Sequence, residues 1–164
     1  MKEINVGFLG CGNVGSGVYR LLEEMGPQLS HRESVRFHIS KVLVRDLHKK
    51  RDVAVPRAML TDRPEDVLEN PDISLVVEVL GGEQPATEYM LRAMEHGKSI
   101  ITANKMALAT NWHLLQAKAQ EKQVGLYFEA SVGAAIPVIS VLLNSLQADR
   151  ITSVMGIING TTNY

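Results

Sequence analysis

The sequence holds one cysteine, Cys11, in 164 residues. A single thiol excludes an internal disulfide and any metal centre built from several thiolates. No excess of either charge is present, since 17 Lys and Arg stand against 18 Asp and Glu, for a formal net charge of -1. Without a basic field the chain offers no footprint for nucleic acid or an acidic membrane surface, and a small phosphate-bearing ligand suits it better than a polyanion. No apolar run approaches membrane length, and the N-terminus reads straight into a strand with no charged and apolar leader, as expected of a cytoplasmic protein. Internal repeats, low-complexity tracts and flexible linkers are missing too. What is there, 45% hydrophobic and 21% charged residues, is the profile of one soluble globular domain with material for a core.

The most informative stretch runs from Ile4 to Gly15, an apolar strand leading into Gly10-Cys11-Gly12-Asn13-Val14-Gly15. In a Gly-x-Gly-x-x-Gly turn the first glycine allows the tight exit from the strand and the second lets main chain approach a pyrophosphate. The third lets the next helix pack closely on the sheet. The ligand then sits on a helix N-terminus, where free N–H groups and the positive end of the dipole favour negative charge. Val14, Val18, Leu21, Leu22 and Met25 recur at helical spacing after the glycines, and Gly26-Pro27 reads as the stop, with Gln28 to Ser34 a polar connection. Cys11 lies in this loop as a small side chain between glycines, with no chemistry assigned to it.

Val35 to Val44 reads as a second strand, closed by Arg45-Asp46. In a dinucleotide fold this strand tip faces the adenine ribose, where an acidic residue holds the 2′-hydroxyl of NAD and a basic one suits the 2′-phosphate of NADP. Arg45 favours NADP, and Asp46 beside it keeps NAD open. Leu47 to Pro64 is loop with a short strand near Met59-Leu60, and Pro64 to Leu68 a short helix. Ile73 to Leu80 is the continuous apolar run of a central parallel strand, ending at Gly81-Gly82, with Glu78 a candidate for a buried, hydrogen-bonded carboxylate. Pro85 to His96 reads as a helix capped by Gly97, Ser99 to Thr102 as a strand, Lys105 to Gln123 as a helix and Val124 to Glu129 as a strand. After a helix opened by Pro137, Ile151 to Asn159 reads as a last strand. Such alternation predicts an α/β, Rossmann-type doubly wound parallel sheet with helices on both faces.

Two further segments carry chemistry. Thr102-Ala103-Asn104-Lys105 lies at the C-terminal end of a strand, the edge where open α/β sheets bind ligands. A lysine there is suited to polarise an aldehyde oxygen, to help deliver a proton as hydride reaches carbon, or to contact the cofactor ribose. Glu129 to Pro137 combines small residues with one carboxylate, a loop whose oxygens suit a hard cation, although a plain strand-to-helix turn has the same composition.

Five segments in order resemble homoserine dehydrogenases: Gly10 to Val18, Glu78 to Gly82, Thr102 to Lys105, Glu129 to Pro137 and Gly156 to Tyr164. The likeness covers essentially the whole chain, and the last three segments together are specific to that family. The resemblance implies NAD(P)-dependent interconversion of L-homoserine and L-aspartate 4-semialdehyde, on the route to threonine, methionine and isoleucine, by direct hydride transfer without a covalent intermediate. It implies cofactor contacts at Gly10, Gly12, Asn13, Val14, Gly15, Arg45, Gly81, Thr102 and Lys105, with Lys105 also catalytic. It further implies a sodium-type site at Glu129 and the carbonyls of Val132, Ala134 and Ile136. Family members continue into a substrate and dimerisation domain, so residues 1–150 are expected to form the dinucleotide-binding domain and 151–164 the start of the second. On this pattern the chain is the cofactor-binding half of a homodimeric enzyme and turns over little by itself. The alternative from another class is a stand-alone NAD(P)-sensing domain.

Overall fold

Strands Lys2–Leu9 (β1), Val35–Leu43 (β2), Leu60–Thr61 (β3), Leu75–Glu78 (β4), Ser99–Thr102 (β5) and Leu126–Tyr127 (β6) form one sheet in the order β3-β2-β1-β4-β5-β6, every pair parallel. This computed structural model describes residues 1–156. Between the strands run helices Asn13–Glu33 (α1), Glu65–Leu68 (α2), Ala86–Glu95 (α3) and Lys105–Lys122 (α4), followed by Glu129–Val132 (α5). The doubly wound sheet expected from the alternation is therefore present.

β1 lies at the centre, and its last residues Phe8 and Leu9 are both wholly buried, one on each face. On one face α1 sets Tyr19, Val18 and Leu22 against Val6, Phe8, Ile39, Val42 and Val77. On the other, Val67 and Leu68 of α2, Met90 and Met94 of α3, and Leu108 and Leu115 of α4 close over Leu9, Val76 and Ile100. Each such side chain contributes about 1.5–3 kcal/mol on leaving water. Cover is uneven: Ile101 and Tyr127 follow Val77 in register on the α1 side and stay 37% and 58% exposed.

Lys98, at the opposite edge from the strand C-termini, is 1% exposed and donates from Nζ to the carbonyls of Asn70 at 2.5 Å and Ile73 at 2.8 Å. Burial pushes its pKa below the ordinary lysine value, against a smaller upward pull from Asp72.

Four expectations are corrected. α1 does not stop at Gly26-Pro27 but runs through Pro27 to Glu33 and ends at Ser34, which takes a left-handed φ of 54°. Pro27 and Glu23 are exposed, so water can serve the carbonyl that the missing N–H leaves free, and the helix continues. The strand expected from Val124 to Glu129 pairs only at Leu126–Tyr127, because β6 is an edge with β5 as its one neighbour, and Glu129 already begins α5. The expected last strand is not formed over 151–156, where no neighbouring strand offers a ladder; its remainder lies outside the described residues. The helix expected after Pro137 is a short run ending in a π-helical turn, Val141–Ser145.

Candidate functional site

Strand order reverses between β1 and β4, and this is where an open α/β sheet splits its connections to opposite faces and leaves a crevice at the strand C-termini. A cleft of 740 Å³ occupies the place, and Gly10, Gly12, Arg45 and Gly81 all line it. Four of the expected cofactor residues, separated by up to 71 positions in the chain, are thus brought together, while Asn13, Val14, Gly15, Thr102 and Lys105 do not line this cleft.

The three glycines meet three different demands. Gly10 has φ +104°, a conformation that side chains rarely adopt, and a Cβ there would lie 3.0 Å from the Val79 carbonyl oxygen. At Gly15 a Cβ would stand 2.6 Å from the Gly10 carbonyl oxygen, so the glycine is what lets α1 pack onto the turn. Gly12 has nothing within 4 Å of a built Cβ, and it faces open space. It is also the N-cap of α1, with no side chain capping the helix. The first bond of α1 runs from Ser16 N to Gly12 O, and among the described residues no acceptor meets the N–H groups of Gly12, Asn13, Val14 or Gly15. An open, uncapped helix end of this kind fits the diphosphate of a dinucleotide, which would fill the space a side chain would otherwise take.

At the tip of β2, Arg45 and Asp46 are both exposed, but they face different tasks. Asp46 Oδ1 accepts from His48 N at 2.7 Å and Lys49 N at 3.2 Å, closing its own turn. The His48 amide first, then that of Lys49 and the nearby positive charges, hold the carboxyl below its ordinary pKa against the upward push of burial. Arg51 clamps the turn from outside, donating to the carbonyls of Asp46 and Lys49. Lys49 and Arg51 also line the cleft, a contribution that sequence reasoning missed. The basic run from His48 to Arg51 was its only signal.

Beyond β4, Gly81 and Gly82 take φ +76° and +73°, so the turn needs both glycines. Glu78 is wholly buried and accepts from Leu80 N at 2.8 Å, Thr102 Oγ1 at 2.6 Å and Asn104 Nδ2 at 3.3 Å. The structural role expected for this carboxylate is what the geometry shows. The Thr102 hydroxyl is therefore occupied, and its residue is buried behind the strand end. Asn104 caps α4 by accepting from Ala107 N at 3.1 Å and donates to the Gly82 carbonyl at 2.7 Å. Lys105 follows as the first residue of α4, exposed.

The Glu129 loop lies past the sheet edge. Its carboxylate accepts from Val138 N at 2.6 Å, Ile139 N at 2.8 Å and Ser140 N at 2.7 Å, and so caps the segment that follows. Burial pushes this carboxyl up, and the amides of Ser140, Ile139 and Val138 together outweigh it, leaving the pKa lowered. With its side chain committed, Glu129 has its main-chain carbonyl to offer a cation, and that oxygen already accepts from Gly133 N at 3.3 Å. Among the described residues the carbonyls of Val132, Ala134 and Ile136 accept no backbone N–H. Ala134 takes φ 53°, and a Cβ at Gly133 would stand 2.6 Å from the Ile136 oxygen. The turn thus leaves three carbonyl oxygens unoccupied, ligands of the kind a hard cation takes.

Comparison with known proteins follows the same lines. The family profile described as the NAD binding domain of homoserine dehydrogenase matches residues 10–129, and a second, described as homoserine dehydrogenase, matches 137–164. Homoserine dehydrogenase of Bacillus subtilis is 44% identical over 164 residues, which is 100% of this chain and 38% of that protein. The crystal structure of a homoserine dehydrogenase from Thiobacillus denitrificans superposes with a TM-score of 0.82 at 36% identity, over 91% of this chain and 34% of the other. A hyperthermophilic archaeal homoserine dehydrogenase in complex with NADPH shares the fold at 22% identity, TM-score 0.69, over 85% of this chain and 48% of its own.

Proposed function

The chain belongs to the homoserine dehydrogenase family through its NAD-binding domain, and from that premise we propose that it holds NADP(H) for the reversible oxidation of L-homoserine to L-aspartate 4-semialdehyde. It spans about 38% of the length of the Bacillus subtilis relative, so the reaction is proposed for the whole protein, in which a substrate half, beginning near residue 151, completes a homodimeric enzyme. The observation that carries the reading is the open N-terminus of α1, where Gly12 lines the cleft with a bare Cα and the amides of residues 12–15 meet no acceptor among the described residues.

The amides of residues 12–15 bind the diphosphate and orient the coenzyme along the strand ends. Arg45 binds the 2′-phosphate of the adenine ribose. Asp46, turned into its own loop by His48 and Lys49, is poorly placed to hold free ribose hydroxyls, which supports NADP over NAD. When bound, the coenzyme supplies or accepts hydride at its nicotinamide ring. Gly81 brings main chain close on that side, Thr102 shapes the strand end, and Lys105 orients the substrate oxygen and stabilises the negative charge that develops on it. The carbonyls of Glu129, Val132, Ala134 and Ile136 hold a monovalent cation of sodium type.

Titration of the purified chain with NADPH and with NADH, followed by coenzyme fluorescence, tests this reading. Arg45→Ala is expected to weaken NADPH roughly ten- to hundredfold, the worth of a hydrogen bond to a charged group, and to leave NADH unchanged. Equal effects on both would overturn the 2′-phosphate assignment.

A further inference from the structure

Glu78 is the one wholly buried carboxylate among the described residues, and nothing in the proposed chemistry uses it. Its three donors come from three segments that converge on the C-terminal edge of the sheet. Leu80 N belongs to the connection after β4, Thr102 ends β5, and Asn104 is the cap of α4. The adjacent bonds extend its reach. Thr102 Oγ1, while donating to Glu78, accepts from Asn104 N at 3.0 Å, and Asn104 Nδ2 also donates to Gly82 O at 2.7 Å. One side chain therefore ties the Gly81-Gly82 turn to the residue that immediately precedes Lys105.

A carboxylate is the group this junction requires. All three neighbours point N–H or O–H at it, and its two oxygens accept all three bonds. Glutamine would present one oxygen and one NH2, so the Thr102 hydroxyl would have to turn to accept and would lose its own acceptor in a site closed to water. The oxygens are consumed by the protein, and the residue has no exposed surface, so it cannot touch a ligand.

We propose that Glu78 is a positioning residue, which through Leu80, Thr102 and Asn104 sets the Gly81-Gly82 turn and the start of α4, and so fixes where Lys105 stands relative to the nicotinamide half of the coenzyme. Gly81 lines the same cleft as Arg45, but Arg45, at the tip of β2 where the 2′-phosphate is proposed to bind, takes part in none of these bonds. The inference rests on the proposed NADP(H) binding and makes a demand of its own: loss of Glu78 must act on one half of the ligand.

The test compares two probes, NADPH and 2′-phospho-ADP-ribose, which lacks the nicotinamide, on the 164-residue chain and on Glu78→Gln. The variant is expected to bind 2′-phospho-ADP-ribose as the wild type does, to bind NADPH about tenfold more weakly, and to lose part of the fluorescence change of the bound dihydronicotinamide. A purely structural role would lower both affinities in parallel. Asn104→Ser keeps a cap on α4 but removes the amide donor to Glu78 and Gly82, and is expected to show the same split. This second variant decides the matter if Glu78→Gln fails to fold. Parallel losses, or none, in whichever variants fold would overturn the positioning role while leaving coenzyme binding intact. Wild-type chain that bound neither probe would overturn both readings together.

Discussion

Placing a methyl group on two glycines of the same loop should separate binding from stability. At Gly12 the added carbon meets no protein atom within 4 Å. Its φ of -84° suits an L residue, so the smaller entropy of the unfolded chain favours Gly12→Ala by about 0.4–1 kcal/mol. Alanine is the poorer N-cap by a similar amount, and the two terms leave folding nearly unchanged. Binding is another matter, because the methyl takes the space in which the diphosphate must approach the amides. Loss of one charge-assisted bond at about 1.5–3 kcal/mol is roughly a ten- to hundredfold weaker dissociation constant. Gly15→Ala should behave in the opposite sense. Its methyl lands 2.6 Å from the Gly10 carbonyl oxygen and 3.2 Å from Val79 Cγ2, neither of which is the free end of a flexible side chain, and overpacking of that kind costs about 1–3 kcal/mol. For a domain of this size the melting temperature then falls by roughly 2–12 °C. Thermal unfolding followed by circular dichroism and NADPH fluorescence titration measure the two effects on the same samples. Gly12→Ala that bound NADPH as tightly as wild type would refute the reasoning, as would Gly15→Ala that melted with the wild type.

Two pH-linked predictions follow from groups outside the cleft. Lys98 has a pKa below its ordinary 10.5 in the folded chain, so the unfolded chain binds the extra proton and stability rises with pH between the lowered value and 10.5. Denaturant unfolding between pH 8 and 10.5 should show a shallower rise in Lys98→Met than in wild type, and identical slopes would remove Lys98 as the cause. Glu129, lowered in the fold, contributes stability above its ordinary value that is lost as pH falls through the lowered one. Protection from hydrogen exchange at Val138, Ile139 and Ser140, taken relative to the intrinsic amide rate at each pH, should fall in acid in wild type and be low at all pH in Glu129→Ala; unchanged protection in the variant would show that the carboxylate does not hold this segment.

The glycine loop was legible from sequence because each glycine answers a local demand, and the spacing of strand, turn and helix carries those demands in a dozen consecutive residues. The strand order follows from the same alternation, since right-handed crossovers leave few alternatives. What stayed hidden depends on partners distant in the chain. Thr102 and Asn104 lie 24 and 26 positions from Glu78, and nothing in Thr102-Ala103-Asn104-Lys105 announces that its first and third residues turn towards a buried carboxylate. Pro27 misleads for the converse reason. A local breaker signals a stop, yet on an exposed face the cost of one missing bond is small beside the continuation of a helix already packed on the sheet. Asp46 is a third case: its identity suggests a ribose partner, and only the backbone turn shows that His48 and Lys49 have claimed it.

Lys105 breaks a local rule in a way that supports the role proposed for it. It occupies the first helical position of α4, where the free amides and the helix dipole disfavour a cation, and no acidic residue stands in that first turn to offset it. Asn104 already supplies the cap, so α4 gains nothing from a lysine here. Residues that oppose the local preference without visible compensation concentrate at functional sites, because the compensation comes from the ligand. The ammonium and the amides of the same helix end favour the same thing, negative charge on an oxygen at the C-terminal edge of β5. In the proposed reading the phosphate end of the coenzyme is served by main chain at α1 and the reacting end by a side chain at α4. Glu78 bonds to Leu80, Thr102 and Asn104 and to nothing in α1 or its glycine loop, which is why the proposal expects its loss to be felt at the end of the ligand near Lys105.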